Sequence, residues 1–274
     1  MATRRPSLHI CGPVITDVLD IVRAAGRIVE QTAASGYAVA TKTRGDPVTD
    51  ADRRADALLK EQLRRLVPDA GWLSEETADT AERRSHERVW IVDPLDGTRE
   101  FAARVPEYSV AVALVERGVP TLGVVLHPST GDAYWAEAGC GAFRNGERIH
   151  VREGSAMLAS RSEHAAGEFA PFLEHWEVTA VGSIQLKLAL VAAGRAAVTV
   201  SRGPKHEWDV CAGALIVQEA GGRATDVRGE PLCFNQPRPK THGVLAGAAG
   251  AYGRVLEQLR VVGVSSRMRE LLEP

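Results

Sequence analysis

The chain has 274 residues, 45% hydrophobic and 25% charged, with a formal net charge of −2. This supplies apolar material for one large layered core or two small domains, and balanced charge without a long basic stripe argues against a nucleic-acid partner. The four cysteines, Cys11, Cys140, Cys211 and Cys233, form no Cys-x-x-Cys pair, no apolar run reaches a membrane span, and the twin Arg4-Arg5 lack the apolar segment of an export signal, so the expectation is a cytoplasmic protein with neither a zinc site nor a disulfide scaffold.

Val14, Val18, Val22, Ala25 and Val29 recur at helical spacing, which predicts a helix over 14–34 stopped by Gly36. Thr49-Asp50-Ala51-Asp52 has the form of a capping box. It opens a second helix whose apolar positions are Ala55, Leu58, Leu59, Leu63 and Leu66, closed by Pro68. Residues 88–92 read as a buried strand that breaks at Asp93-Pro94. Residues 108–115, 121–126, 132–137 and 141–144 read as further strands, and Asn145-Gly146 as a tight turn.

Near Gly154 the texture changes to alternating strands and helices. Strands are predicted over 157–160, 178–180, 197–200 and 243–246, and helices over 184–193, 206–220 and 252–261. The expected division is therefore an N-terminal α+β domain, 1–154, and a C-terminal α/β domain, 155–274.

The chemistry concentrates in Asp93-Pro94-Leu95-Asp96-Gly97-Thr98 at the end of the predicted strand. Two carboxylates this close repel each other unless a cation lies between them, and hard oxygen donors suit Mg²⁺. Gly97 lets backbone approach a ligand, and free N–H groups of a following helical turn would face an anion. Alone, a D-x-x-D-G string reads first as an Asx-type turn in which the aspartates cap backbone N–H groups, and the full string with its upstream strand reverses that. Glu75 in Leu73-Ser74-Glu75-Glu76 and Asp209 in Trp208-Asp209 extend the acidic set, although singly they read as a surface glutamate and a first-turn carboxylate. Asp52 has two readings side by side, capping-box partner and catalytic carboxylate.

Together these pieces resemble the Mg²⁺-dependent, Li⁺-sensitive phosphatase superfamily that includes inositol monophosphatase. The resemblance rests on Pro47-Val48-Thr49-Asp50-Ala51-Asp52, Leu73 to Glu76, Asp93 to Thr98, and Trp208 to Gly213, in the family's order. It implies a layered α-β-α-β-α sandwich. It implies Mg²⁺ held by Glu75, Asp93, the Leu95 carbonyl, Asp96 and Asp209, with Asp52 and Thr98 activating water. Glu75, Leu95, Asp96, Gly97, Thr98, Ser183, Lys187 and Asp209 are the implied substrate contacts.

Gly97-Thr98-Arg99-Glu100-Phe101 and Gly182-Ser183-x-x-x-Lys187 are most similar to the branch acting on 3′-phosphoadenosine 5′-phosphate, as is Lys42 ahead of the first motif. The implied reaction yields AMP and phosphate and recycles a by-product of sulfur assimilation. The alternatives are an inositol-1-phosphate, sugar or histidinol phosphate monoesterase and, from another class, a non-catalytic phosphate-ligand binding protein. The expected partner is a small-molecule phosphate ester, with a homodimer as the family's frequent assembly. The chain departs from the family's usual residues at Asp50, at Ile184-Gln185 and over Gly203 to Glu207.

Overall fold

The computed structural model describes residues 12, 14–35, 39–41 and 47–262. Gly36, Lys42 and the tail beyond residue 262 lie outside the described residues. Helix α1 (Val14–Ser35) buries Val18, Val22, Ala25 and Val29. A hairpin of β1 (Val39–Thr41) and β2 (Pro47–Thr49) leads into α2 (Asp50–Leu66), which buries Ala55, Leu59 and Leu63. The Thr49–Asp52 capping box forms as its spacing predicts.

Seven strands make the first sheet: β3 (Gly71–Ser74), β4 (Arg88–Asp96), β5 (Ser109–Glu116), β6 (Val119–His127), β7 (Asp132–Glu137), β8 (Gly141–Arg144) and β9 (Glu147–Ile149). They pair in chain order, β3 parallel to β4 and the rest antiparallel. From Ser109 to Val115 every residue of β5 is buried. Helices on both faces explain why this strand shows no polar alternation. Asn145 and Gly146 both take positive φ and turn β8 into β9.

After the short α3 (Thr98–Ala102), the second half supplies β10 (Ala156–Ser160), α4 (Arg161–Ala165), β11 (Glu177–Val181), α5 (Ile184–Ala192) and β12 (Val198–Ser201). The two-residue β13 (Lys205–His206) precedes a 3₁₀ turn, Glu207–Asp209, and α6 (Cys211–Glu219). Then come β14 (Arg223–Thr225), β15 (Lys240–Thr241), β16 (Val244–Gly247) and α7 (Ala249–Val262). The second sheet has the order β11-β10-β12-β16-β14, with β10 parallel to β11 and β12, and β16 antiparallel to both neighbours.

Three cores join five layers, the middle one spanning both faces of the α5–α6 layer. Apolar residues of α1 and α2 pack on one face of the first sheet, around Trp90, Val92 and Leu95. The other face, with Leu73, Ile91 and Ala111, shares a core with α5, α6 and strand β16 of the second sheet. The outer face of the second sheet packs on α7 and on Phe169 and Phe172. The architecture is the α-β-α-β-α sandwich that the resemblance implies.

The change of texture near Gly154 falls between β9 and β10, and the two halves meet through the α5–α6 layer. Two expectations need correction. The strand predicted to break at Asp93 continues through a bulge to Asp96. The single helix predicted over 206–220 is a 3₁₀ turn and then α6, separated by Val210 at φ −132°. Strands β3 and β9 were not expected; each has only three or four residues, too few to show a period.

Candidate active site

Strand register gathers the acids. In β3, Ser74 lies opposite Val92, so Glu75 leaves the sheet beside Asp93, its N–H donating to the Val92 carbonyl at 3.3 Å. In an unbroken strand Asp93 and Asp96 would point to opposite faces. Pro94 has no N–H for the ladder. The register slips there, so that Asp93 pairs with Ala111 and Asp96 with Ser109. Three steps on β4 therefore match two on β5, which is a bulge. Ala111 and Ser109 share a face, and their partners share it too. Leu95 points the other way, its side chain buried in the α1–α2 core.

Gly97 follows with φ 93°, and a Cβ there would lie 2.9 Å from the Glu107 carbonyl oxygen. Only glycine fits both conditions. It starts α3, whose Phe101 N–H returns to the Gly97 carbonyl at 2.9 Å.

Asp52 reaches the same place from the opposite layer. Its Oδ2 accepts the Thr49 N–H at 2.8 Å and the Thr49 hydroxyl at 2.6 Å, and its Oδ1 faces the Thr98 hydroxyl at 3.1 Å. One oxygen caps the helix while the other faces the motif, so the capping role leaves Asp52 in hydrogen-bond reach of Thr98. The Thr98 hydroxyl also lies 3.0 Å from the Leu95 carbonyl. It has one proton and so donates to one of these two acceptors at a time.

Asp209 ends the 3₁₀ turn, its Oδ2 accepting the His206 N–H at 2.7 Å. Gln185, fully buried, joins this turn to the bulge. Its N–H donates to Asp96 Oδ2, its side-chain amide donates to the Trp208 carbonyl, and its Oε1 accepts the Gly213 N–H, all at 2.7 Å. The sequence marks Gln185 only as a departure from family pattern, and only the fold reveals its bridging role.

The acids border a cleft of about 330 Å³, lined also by Gly97, Thr98, Arg99, Glu100, Arg161, Ser183, Lys187 and Lys205. Two implied substrate contacts have other partners here. Lys187 is buried, and its ammonium donates to the carbonyls of Val181, Gly182 and Ser183 at 3.1, 3.4 and 2.9 Å, which uses all three of its protons. The direct anion contact expected of Lys187 is thus replaced by support of the turn before α5. Ser183 sits in that turn at φ 49°, a strained backbone for a residue with a Cβ. Its hydroxyl donates to Asp96 Oδ2 at 2.6 Å and accepts the Leu186 N–H at 2.9 Å, which orients Asp96 and caps α5. The cleft cations nearer solvent are Arg99, Arg161, paired with Glu107, and Lys205, paired with Glu163 at 3.1 Å. Lys205 was not expected, because its segment resembles neither branch.

Loss of water raises the pKa of Asp93 well above the usual carboxylate range, reinforced by Glu75, Asp96 and Asp209. The same causes, with Glu75 the leading neighbour, push Asp209 up to about 8. Burial also raises Asp52 and Asp96 against the hydrogen bonds they accept. Burial lowers Lys187 to about 8, opposed by the negative Asp96. Among the described residues no three acidic, histidine or cysteine side chains converge closely enough to hold a metal ion as they stand. The donor chemistry nevertheless fits a hard divalent cation, since Asp93, Asp96 and Asp209 each give one oxygen to backbone N–H groups or a hydroxyl. Their other oxygens have no hydrogen bond among the described residues, and the mutual repulsion is what a cation would relieve.

A pH effect on stability follows. Groups whose folded pKa is raised bind protons more tightly in the folded chain. Their contribution is whole below the ordinary carboxylate range and is lost as pH climbs through the folded values. For Glu207, raised by burial to about 7, and Asp209, at about 8, the loss runs from the ordinary carboxylate range up to those folded values, so the interval from pH 6 to 8 lies in its upper part. Lys187 acts with the opposite sign, because its lowered pKa makes stability rise with pH above about 8. The Tm of metal-free protein is expected to fall by several degrees from pH 6 to 8, with a smaller fall in Mg²⁺. Thermal melts in EDTA and in Mg²⁺ measure both, and a flat EDTA profile would contradict the raised values.

The inositol monophosphatase family model matches residues 13–263. The 3′(2′),5′-bisphosphate nucleotidase CysQ of Escherichia coli is 38% identical over 236 residues, 81% of this chain and 94% of that protein. The fructose-1,6-bisphosphatase/inositol-1-monophosphatase of Thermotoga maritima is 36% identical over 192 residues, 68% of this chain and 73% of its own. The extragenic suppressor protein SuhB of Bartonella henselae superposes with a TM-score of 0.81 at 27% identity, over 91% of this chain and 99% of that one.

Proposed function

The chain belongs to the inositol monophosphatase family, and from that premise we propose that it is a Mg²⁺-dependent phosphomonoesterase that converts 3′-phosphoadenosine 5′-phosphate to AMP and phosphate. The observation that carries the proposal is the bulge that turns Asp93 and Asp96 to one face beside Glu75 and Asp209. The nucleotide substrate is supported by identity to CysQ and by Arg99 and Glu100 lining the cleft. In this reading the protein works in the cytoplasm, as a homodimer, on a by-product of sulfur assimilation. Among the described residues no helix is long and apolar enough to cross a membrane.

Glu75, Asp93, Asp96, Asp209 and the Leu95 carbonyl would hold the metal. Bound there, Mg²⁺ supplies Lewis-acid polarisation of the phosphoryl group. Donation from Thr98 to Asp52 leaves the Leu95 carbonyl available as a ligand and turns the hydroxyl lone pairs toward the attacking water. Asp52, kept from solvent and already braced by Thr49, orients that hydroxyl; as the water gives its proton to the Thr98 oxygen, Thr98 passes its own proton to Asp52 Oδ1. N–H groups at Gly97 and Thr98, opening α3, are placed for the phosphate oxygens. The departing 3′-oxygen would take its proton from water held near Asp209.

The Thermotoga relative supports a second reading, hydrolysis of inositol or sugar phosphates on the same acids. Purified protein in Mg²⁺ is to be given 3′-phosphoadenosine 5′-phosphate, its 5′-phosphosulfate analogue, inositol-1-phosphate, fructose 1,6-bisphosphate and histidinol phosphate. The nucleotides are expected to exceed the others at least tenfold in kcat/KM. A preference for inositol-1-phosphate or the sugar would establish the second reading, and no turnover of any would leave only the binding role.

A further inference from the structure

We propose that Asp56, which belongs to none of the motifs above, is a positioning residue that sets the geometry of Glu75. This inference rests on the reading of Glu75 as a metal ligand. Asp56 lies one turn beyond Asp52 on α2, so both side chains leave the same helix face. It is buried at 8% exposure. Its Oδ1 accepts the Ser74 hydroxyl at 2.5 Å and its Oδ2 accepts the Thr77 hydroxyl at 2.9 Å.

Those two partners bracket Glu75. The Ser74 oxygen also accepts the Glu76 N–H at 3.3 Å, so its hydrogen bonds fix the turn that follows β3. With the Glu75 N–H on the Val92 carbonyl at 3.3 Å, residues 74–77 are tied on one side to β4 and on the other to α2. Among the described residues of α2, Asp56 alone bridges Ser74 and Thr77. A single helix face thus holds both halves of the site. Asp52 addresses Thr98 at the end of the bulge, and Asp56 addresses the segment that carries Glu75. A buried carboxylate accepting two hydroxyls has no need of a neighbouring cation. Its place under a segment already crowded with acids makes sense as bracing, since hydrogen-bonded outer partners orient ligating carboxylates and tune metal affinity.

The test measures metal binding directly, with Mn²⁺ as the probe, by calorimetry and by the Mn²⁺ electron paramagnetic resonance signal of the full chain. Asp56→Ala is expected to weaken Mn²⁺ on the order of tenfold and to raise the Mg²⁺ concentration for half-maximal activity by a similar factor. At saturating Mg²⁺, kcat is expected to stay within about threefold of the parent, because the ligand returns when metal is supplied. Thr77→Val removes only the half-buried hydroxyl; it tests the same link if Asp56→Ala does not fold, and a several-fold weakening is expected. In a Glu75→Gln background Asp56→Ala should weaken Mn²⁺ no further, which is the signature of action through Glu75.

A lowered Tm with Mn²⁺ affinity within twofold of the parent in both variants would make Asp56 a staple of the fold and overturn the proposal. Equal weakening with and without Glu75 would overturn it as well. Failure of the underlying reading looks different, since the parent itself would then bind no Mn²⁺, or Glu75→Gln would bind it as the parent does.

Discussion

Asp93→Asn is expected to lower phosphate release about a thousandfold, some 4 kcal/mol of barrier, and at the same time to raise the Tm of the metal-free protein. Both effects come from one charge. Asp93 is 1% exposed and lies among Glu75, Asp96 and Asp209, all of which oppose its ionisation. Asparagine keeps the volume and the acceptor for the Leu95 N–H, which Asp93 Oδ1 receives at 3.1 Å. It removes the charge that a cation would need. Relief of repulsion worth about 1 kcal/mol would raise Tm by roughly 2–4 °C in a chain of this size. Stability gained by disarming a strained site is a familiar exchange. Thermal melts in EDTA at pH 8, beside phosphate-release assays in Mg²⁺, measure the two arms. Retained turnover would remove Asp93 from the metal set, and a lowered Tm would show that the acids are not in conflict.

Asp52→Asn is expected to cost about 10²- to 10⁴-fold in kcat with the Mg²⁺ half-saturation unchanged. Asp52 does not join the acids on the α5–α6 side of the sheet; it reaches Thr98 from α2. An amide facing the Thr98 hydroxyl reverses the direction of that hydrogen bond and leaves no base to orient it. Thr98→Ala should produce a similar loss, and the double variant little more, because the two residues act as one unit. Asp52→Asn also weakens the capping box on Thr49, for about 1 kcal/mol of stability. A loss of activity accompanied by a matching loss of Mg²⁺ affinity would mean that Asp52 serves the metal site instead.

Some of the site was legible in the chain. The capping box at Thr49 and Asp52, the apolar stripes of α1 and α2, and the Asn145-Gly146 turn are local features, each decided by residues three or four apart. They appear as their spacing predicts. The string from Asp93 to Thr98 advertised its chemistry for the same reason, because its acids, its proline and its glycine are neighbours in sequence.

What only the tertiary structure decided is where those residues point and what holds them. Counting along a strand would set Asp93 and Asp96 on opposite faces. Their common face comes from a bulge, and a bulge exists only in relation to the partner strand β5. Glu75 owes its place to the parallel register of a four-residue strand too short to be recognised. The resemblance implies Lys187 and Ser183 as substrate contacts. The fold surrounds Lys187 with backbone carbonyls and presents Asp96 to Ser183, and buried donors take the partners within reach. Gln185 showed only as a departure from family pattern and Asp56 carried no signal, since each acts on groups at least 18 residues away. By itself the sequence determined the family chemistry and the local elements, because short-range patterns encode them. Register, bulge and burial decided which of those side chains meet, because they arise only when distant segments pack.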